Sequence, residues 1–286
     1  MALGNVWIIG ADGSLGRVLS ANLVARGVSL TATTRRVDCL DDRRRYLDLG
    51  DPACWPAFGE IDTAFICAGA TSLTACRYQP HQTRSLNVTA TAELARRLND
   101  SGAFIVYPST NQVFDGLTPM ANATTTPRPQ TEYGRQKADA ERHVLALGEQ
   151  AAVVRLTKVL AAGNALLEEW REALRSGHPI QPFSDLRAST IPMSLVVNVL
   201  VRVAESRLSG ITQISADRDV TYAEVAQHLT RKMAAPEALL TPISSTDAGV
   251  LLDALPKHTT LDTSRLTEVF GIKAPDPLHA VDEAIA

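Results

Sequence analysis

Tyr133 and Lys137, in the run Tyr133-Gly134-Arg135-Gln136-Lys137, are the pair in this chain best suited to chemistry. Four residues apart, they share one face if the run is helical. An ammonium near a phenol favours the phenolate and lowers the tyrosine's pKa towards a working range. The same lysine can bond the ribose of a nicotinamide nucleotide. Upstream lies Pro108-Ser109-Thr110-Asn111-Gln112-Val113-Phe114-Asp115-Gly116. There a strand-end hydroxyl on Thr110 would hold a carbonyl oxygen near the Tyr133 proton. The chemistry open to this set is carbonyl reduction, with hydride delivered to carbon and the tyrosine proton to oxygen. Tyr-x-x-x-Lys spacing alone is common by chance, so the elements around it decide its weight.

The first of those elements opens the chain. Val6-Trp7-Ile8-Ile9 reads as a strand buried on both faces, followed by Gly10-Ala11-Asp12-Gly13-Ser14-Leu15-Gly16 and an amphipathic run to Ala25. Strand, glycine turn and helix in that order begin a dinucleotide-binding unit. Gly10 lets the chain leave the strand sharply, Gly13 clears space for a pyrophosphate, and Gly16 lets the helix pack on the strand. The helix start offers free N–H groups and partial positive charge to phosphate. Asp12, Ser14 and Leu15 in the turn are candidate cofactor contacts with the three glycines. The second strand ends in Thr31-Ala32-Thr33-Thr34-Arg35-Arg36, with no acid where a fold that takes NAD places one for the ribose hydroxyls. Arg35 and Arg36 suit a 2′-phosphate, which guanidinium grips with paired donors. NADP(H) is therefore favoured, with NAD(H) as the alternative. Asp48 and Leu49 follow the third strand, where Asp48 is placed to meet adenine or to cap a turn. Cys67, Ala68 and Gly69 end the fourth strand with little bulk, so the backbone there can approach a flat cofactor.

Strands are expected at Val28–Thr33, Tyr46–Leu49, Ala64–Cys67, Ala103–Tyr107, Ala152–Leu156 and Ile211–Ser215. Helices are expected at Ser85–Leu98, Tyr133–Leu147, Ile191–Ala204 and Tyr222–Met233. Alternating strands and helices imply an α/β fold: a Rossmann-type doubly wound parallel sheet with a small C-terminal α/β lobe. We place the cofactor domain at residues 1–160 and the substrate lobe, interleaved with the sheet edge, at 161–286. The 286 residues carry a net charge of −3, which gives no hint of a nucleic-acid or membrane partner. The N-terminus lacks a signal-peptide pattern and no apolar run reaches the ~18 residues of a spanning helix, so a cytoplasmic protein is expected. Cys39, Cys54, Cys67 and Cys76 show no Cys-x-x-Cys spacing and read as reduced thiols; the six histidines are scattered, and no metal site is expected.

With these motifs assembled, the chain resembles an extended short-chain dehydrogenase/reductase, most closely the dTDP-4-dehydrorhamnose reductase family. Ser109-Thr110-Asn111-Gln112-Val113-Phe114-Asp115-Gly116 is similar to that family's S-T-D-Y-V-F-D-G, and Tyr133-Gly134 to Lys137 matches its Y-G-x-x-K. Ser85-Leu86-Asn87-Val88, Asp185 to Pro192, and Thr259 to Leu266 resemble three further family segments. The resemblance implies NAD(P)H-dependent reduction of a 4-keto group on a nucleotide-linked deoxysugar, carried by Thr110, Tyr133 and Lys137. It also implies that Asn87 helps organise the site and supports the proton relay, that a C-terminal lobe binds the nucleotide sugar, and that the protein is a homodimer. Thr71, Asn111, Gln112, Lys158 and Arg187 are the candidate substrate contacts; Arg187 suits a diphosphate clamp or a surface ion pair. Gln112 stands where the family has an aromatic residue and Lys158 where it often has tryptophan, while Lys257 replaces an arginine beside Pro256. Asn111 and Gln112 cannot exchange protons as the acid and base of a 4,6-dehydratase must. Two alternatives stay open: a sugar-nucleotide 4-epimerase with retained cofactor, and a non-catalytic dinucleotide-binding regulatory subunit.

Overall fold

The computed structural model describes residues 3–250 and 255–286. Eleven strands form among them: β1 (Val6–Ile9), β2 (Leu30–Thr34), β3 (Arg44–Tyr46), β4 (Thr63–Ile66), β5 (Phe104–Thr110), β6 (Ala151–Leu156), β7 (Lys158–Leu160), β8 (Arg187–Ala188), β9 (Thr190–Pro192), β10 (Gly210–Ile214) and β11 (Val220–Thr221). Seven of them make one sheet in the order β10-β6-β5-β4-β1-β2-β3, and the pairings from β3 through to β5 are parallel. All four residues of β1 and of β4 are buried, which is why β1 and the Ala64–Ile66 part of β4 read as continuous apolar runs rather than alternating ones. Chain order reverses between β1 and β4, the place where open sheets of this kind bind ligands beyond the strands' carboxyl ends.

The chain divides into two compact units of three segments each. Met1–Val113, Pro127–Arg155 and Val197–Thr212 form the first; Phe114–Thr126, Leu156–Val196 and Gln213–Ala286 form the second. The first holds helices α1 (Ser14–Ala25), α2 (Leu73–Tyr78), α3 (Pro80–Arg84), α4 (Thr91–Asp100) and α5 (Glu132–Leu145). Its core packs Trp7, Trp55, Ile66, Leu94, Ile105 and Val153. The second holds α6 (Ala165–Arg175), α8 (Tyr222–Lys232), α9 (Ser264–Phe270) and α10 (Pro277–Ile285), and its core packs Trp170, Leu174, Val220, Leu229 and Val281 from α6, β11, α8 and α10. Helix α7 (Met193–Glu205) begins in the second unit and continues in the first.

Three expectations shift against this framework. A single boundary near residue 160 differs from the alternating partition, because Phe114–Thr126 joins the second unit and Val197–Thr212 the first. Ala121 bridges Leu261, and Gly116 lies so close to Pro256 that an added Cβ would sit 2.4 Å from its side chain, so long-range pairing rather than sequence adjacency assigns that loop. The third strand is Arg44–Tyr46 rather than Tyr46–Leu49; Leu47 and Leu49 are buried just past its end. The helix expected at Ser85–Leu98 opens with a π-helical stretch, Ser85–Ala90, ahead of α4. Among the described residues, no helix is long and apolar enough to cross a membrane.

Candidate functional site

The glycine turn folds as its spacing requires. Gly10 has φ +84°, and a Cβ there would lie 2.7 Å from the Ala68 backbone nitrogen at the end of β4; L-residues rarely adopt this φ, and no side chain fits the space. Gly16 packs against the Gly10 carbonyl at similarly short range. Gly13 differs: its φ is −68°, and a Cβ would meet only the Gly10 oxygen, at 3.4 Å. Nothing in the fold itself demands glycine at 13. Helix α1 starts at Ser14 with no side-chain cap and no acid in its first turn, leaving the N–H groups at Ser14 and Leu15 without a side-chain acceptor. Open space and uncapped donors are what a pyrophosphate needs, so Gly10, Gly13, Ser14, Leu15 and Gly16 fit a dinucleotide.

At the adenosine end the structure adds something the end of β2 alone does not reveal. Asp12 accepts hydrogen bonds from the Thr34 hydroxyl at 2.6 Å and from Arg36 at 3.0 Å. The Thr34 bond, and then Arg36, hold its carboxyl below the usual range against the opposing effect of burial. An acid is therefore present beside this strand end, supplied from the glycine turn. Arg35 is exposed and makes no ion pair among the described residues, and Arg44 acts on Asp12 through its charge. Asp48 spends one carboxylate oxygen on the Gly50 amide at 2.9 Å, the turn-capping alternative. Leu49 is 6% exposed and packs into the core, so only its backbone is open to a ligand.

The chemical pair sits on α5, whose first turn is capped by the Thr131 hydroxyl accepting from the Gly134 amide at 3.0 Å. An added Cβ on Gly134 would be 2.2 Å from the Gln112 carbonyl oxygen, so glycine lets the helix lie directly on the end of β5. Thr131 also donates to Gln112 Oε1 at 3.1 Å, and the Gln112 amide donates to Thr110 Oγ1 at 3.2 Å. Tyr133, Lys137 and Thr110 are thereby set along the same contact. The neighbouring Ser109 hydroxyl is buried with no hydrogen-bond partner, a polar atom that a bound ligand could satisfy and that sequence reasoning did not single out.

Lys137 departs from expectation in its partners. Its Nζ donates to the Tyr107 hydroxyl at 2.6 Å and to the Pro108 carbonyl at 2.8 Å, and lies 3.8 Å from the Tyr107 ring centre. Burial drops its pKa to about 7, with Glu141 and Cys67 opposing. Burial in turn pushes Tyr133 up to about 12. The expected lowering of the Tyr133 pKa by this ammonium is not realised, because both groups pay for desolvation and the ammonium is turned to Tyr107. Cys67 has the basic neighbour that its sequence surroundings lack, since Lys137 acts on it through space, yet burial still raises the thiol to about 12.

The depressed Lys137 pKa makes stability depend on pH. In the unfolded chain Lys137 returns to its ordinary value near 10.4, so between about pH 7 and 10 the unfolded state binds more protons and stability rises with pH. The raised values of Cys67 and Tyr133 act in the opposite sense only above pH 9 to 10. Urea unfolding of the ligand-free protein should therefore show a gain of roughly 1–2 kcal/mol from pH 7 to 9 that Lys137→Met lacks. Parallel curves for the two proteins would refute the depressed lysine.

Asn87 lies on the π-helical stretch, 3% exposed. Its Oδ1 accepts from the Ala70 amide at 2.7 Å, and its Nδ2 donates to the Ala70 carbonyl and to Gln136 Oε1, both at 2.9 Å. These bonds run to the turn after β4 and to α5, and none reaches Thr110, Tyr133 or Lys137. Thr71 is exposed beside that turn, and Asn111 Oδ1 accepts from Thr110 at 3.4 Å. In the second unit, exposed Lys158 on β7 lines a cavity of about 250 Å³ with Leu160, Ala188, Thr190, Val220 and Tyr222. Arg187, exposed on β8, is not among its lining residues.

The chain is 23% identical, over 98% of its own length and 98% of the relative's, to the probable low-salt glycan biosynthesis reductase Agl14 of Haloferax volcanii. It is 31% identical to the methionine adenosyltransferase 2 subunit beta of Rattus norvegicus, over 74% of this chain and 66% of that one. Its fold matches the dTDP-4-dehydrorhamnose reductase of Bacillus anthracis, solved in complex with NADP, with a TM-score of 0.84 at 18% identity over 99% of both chains. It also matches MoeE5, solved with UDP-glucose and NAD, with a TM-score of 0.81 at 22% identity over 98% of this chain and 97% of that one. The family model described as the RmlD substrate binding domain matches residues 4–286, so this chain belongs to that family of extended short-chain dehydrogenases/reductases.

Proposed function

We propose that this chain, an oxidoreductase that uses a nicotinamide dinucleotide, reduces a 4-keto group on a nucleotide-linked deoxysugar with NADPH. The observation that carries the reading is the seating of the first turns of α5 on the end of β5, through Thr131, Gly134 and Lys137. Bound in the glycine cradle, NADPH would supply hydride. Tyr133 keeps its proton across the neutral range and gives it to the carbonyl oxygen as charge develops there. Thr110, its hydroxyl oriented by the Gln112 amide, holds that oxygen in reach. Lys137, buried and able to carry charge near pH 7, would favour the negative charge that Tyr133 gains on giving up the proton once its ammonium turns from Tyr107 towards that phenol. Gln112, next to Thr110 on the same unit, offers an amide to the sugar nucleotide.

A second reading is favoured by the subunit-beta relative, whose identity exceeds that of the reductase relative. On it the chain binds the dinucleotide and an enzyme partner and turns nothing over. One titration separates the two. Purified protein is mixed with NADPH or NADH, then with dTDP-, UDP- and GDP-linked 4-keto sugars, while cofactor absorbance is followed at ~340 nm. Consumption of NADPH with one sugar is the expected result. Saturable binding with no consumption on any sugar supports the subunit reading, and interconversion of sugars without net consumption supports an epimerase. Replacing both Arg35 and Arg36 by alanine should weaken NADPH at least tenfold while changing NADH less than about threefold. Equal losses would overturn the assignment of these arginines to a 2′-phosphate.

A further inference from the structure

Gln136 occupies a silent position of the Tyr133–Lys137 motif, yet it is completely buried. Its Oε1 accepts from Asn87 Nδ2 at 2.9 Å and from the Cys76 thiol at 3.7 Å. Its Nε2 donates to the Thr83 hydroxyl at 3.0 Å, to Glu132 Oε1 at 3.1 Å and to the Pro80 carbonyl at 3.3 Å. An amide so fully engaged has one orientation open to it. Asn87 then has one orientation as well, because the only acceptor that Gln136 presents faces its Nδ2. With that amide fixed, Asn87 closes a two-point bridge on the backbone N–H and C=O of Ala70. Ala70 ends the Cys67-Ala68-Gly69 turn, where small residues leave backbone open to a flat ligand. The π-helical stretch is what points Asn87 into this network, since one extra residue per turn rotates the helix face that meets the turn.

We propose that Gln136 is a positioning residue, which fixes the cofactor-facing turn at Cys67–Ala70 through Asn87 and so ties the helix bearing Tyr133 and Lys137 to the dinucleotide site. This rests on the reading that the turn meets a nicotinamide dinucleotide. It assigns to Asn87 a clamping role in place of a part in proton transfer.

Gln136→Met keeps the volume and removes every hydrogen bond. In this variant the Ala70 amide should exchange with solvent at least tenfold faster than in the wild type, while the amides of β1 and β5 keep their protection. NADPH affinity, read by fluorescence titration, should fall about tenfold, the scale of one buried amide left without its partner. Thr83→Val releases only one end of Gln136 and should move both readouts the same way by a smaller factor; it serves if Gln136→Met does not fold. Unchanged Ala70 exchange, or uniform loss of protection across the sheet, overturns the proposal, as does unchanged NADPH affinity. A wild type that binds no NADPH would instead refute the cofactor reading, and the Ala70 exchange rate would still decide whether the clamp exists.

Discussion

Replacing Tyr133 by phenylalanine should lower turnover about a thousandfold while leaving NADPH affinity within a factor of about two. The substitution removes one hydroxyl and keeps the ring, so α5 and its cap at Thr131 stay as they are. Only the proton supply is lost. With Tyr133 near 12 in the folded chain, the phenol is fully protonated at every pH at which the protein is handled, so the reduction rate should show no titration of this group below pH 10. The ionisation that enters the working range is that of Lys137, near 7. If the Lys137 ammonium turns from Tyr107 to the developing negative charge on Tyr133 during reduction, turnover in the wild type should fall as pH rises above 7 and that charge is lost from the lysine. A Tyr133→Phe protein that retains more than a tenth of the wild-type rate would remove Tyr133 from the chemistry. A Lys137-independent pH profile would remove the lysine from it.

The second large effect lies one turn further along the same helix. Glu141 and Arg155 face each other with side chains only 3% and 2% exposed, joined at 2.8 Å through Nη2 and at 3.1 Å through Nε. Paired in this bidentate way, each charge is tolerated inside the protein; alone, neither is. Glu141→Ala should destabilise the fold by about 3–5 kcal/mol, because a buried guanidinium loses its counter-charge. Replacing both partners by methionine should recover a good part of that loss, since two apolar chains remove the charges together. Urea unfolding of the single and double variants measures both. A single-variant loss below about 1 kcal/mol would mean that Arg155 finds water or another acid. Glu141 also favours the charged form of Lys137, so its removal should move the activity profile to lower pH as well as weaken the fold.

The parts of the molecule readable in advance are those whose cause is local. The course of β1, the glycine turn and α1 follows from the φ of Gly10, the close packing of Gly16 on the Gly10 carbonyl and an uncapped helix start, each contained within a dozen residues. Tyr133 and Lys137 are legible for the same reason, as helical spacing alone puts them on one face. What escaped depended on partners far away in sequence. Strands β7, β8, β9 and β11 have two or three residues each, too few for any alternation, and exist only because β7 pairs β9 and β11 pairs β8. Arg44–Tyr46 carries polar side chains and is a strand only because β2 borders it. In the site, the turning of Lys137 towards Tyr107 and the pairing of Asp12 with Thr34 and Arg36 cross about 20 to 30 residues. Burial, which sets the pKa values, is a property of the whole fold and has no counterpart in spacing.

Because three segments of each unit alternate along the chain, the polypeptide passes from one unit to the other five times. A single genetic crossover therefore cannot exchange one unit intact for that of another family member: five coordinated junctions would be needed, one each inside β6, α7 and β10. New substrate preferences in such a protein must arise by point substitution in place. Directed evolution of it should accordingly favour saturation at positions such as Gln112 and Lys158 over the shuffling of whole blocks.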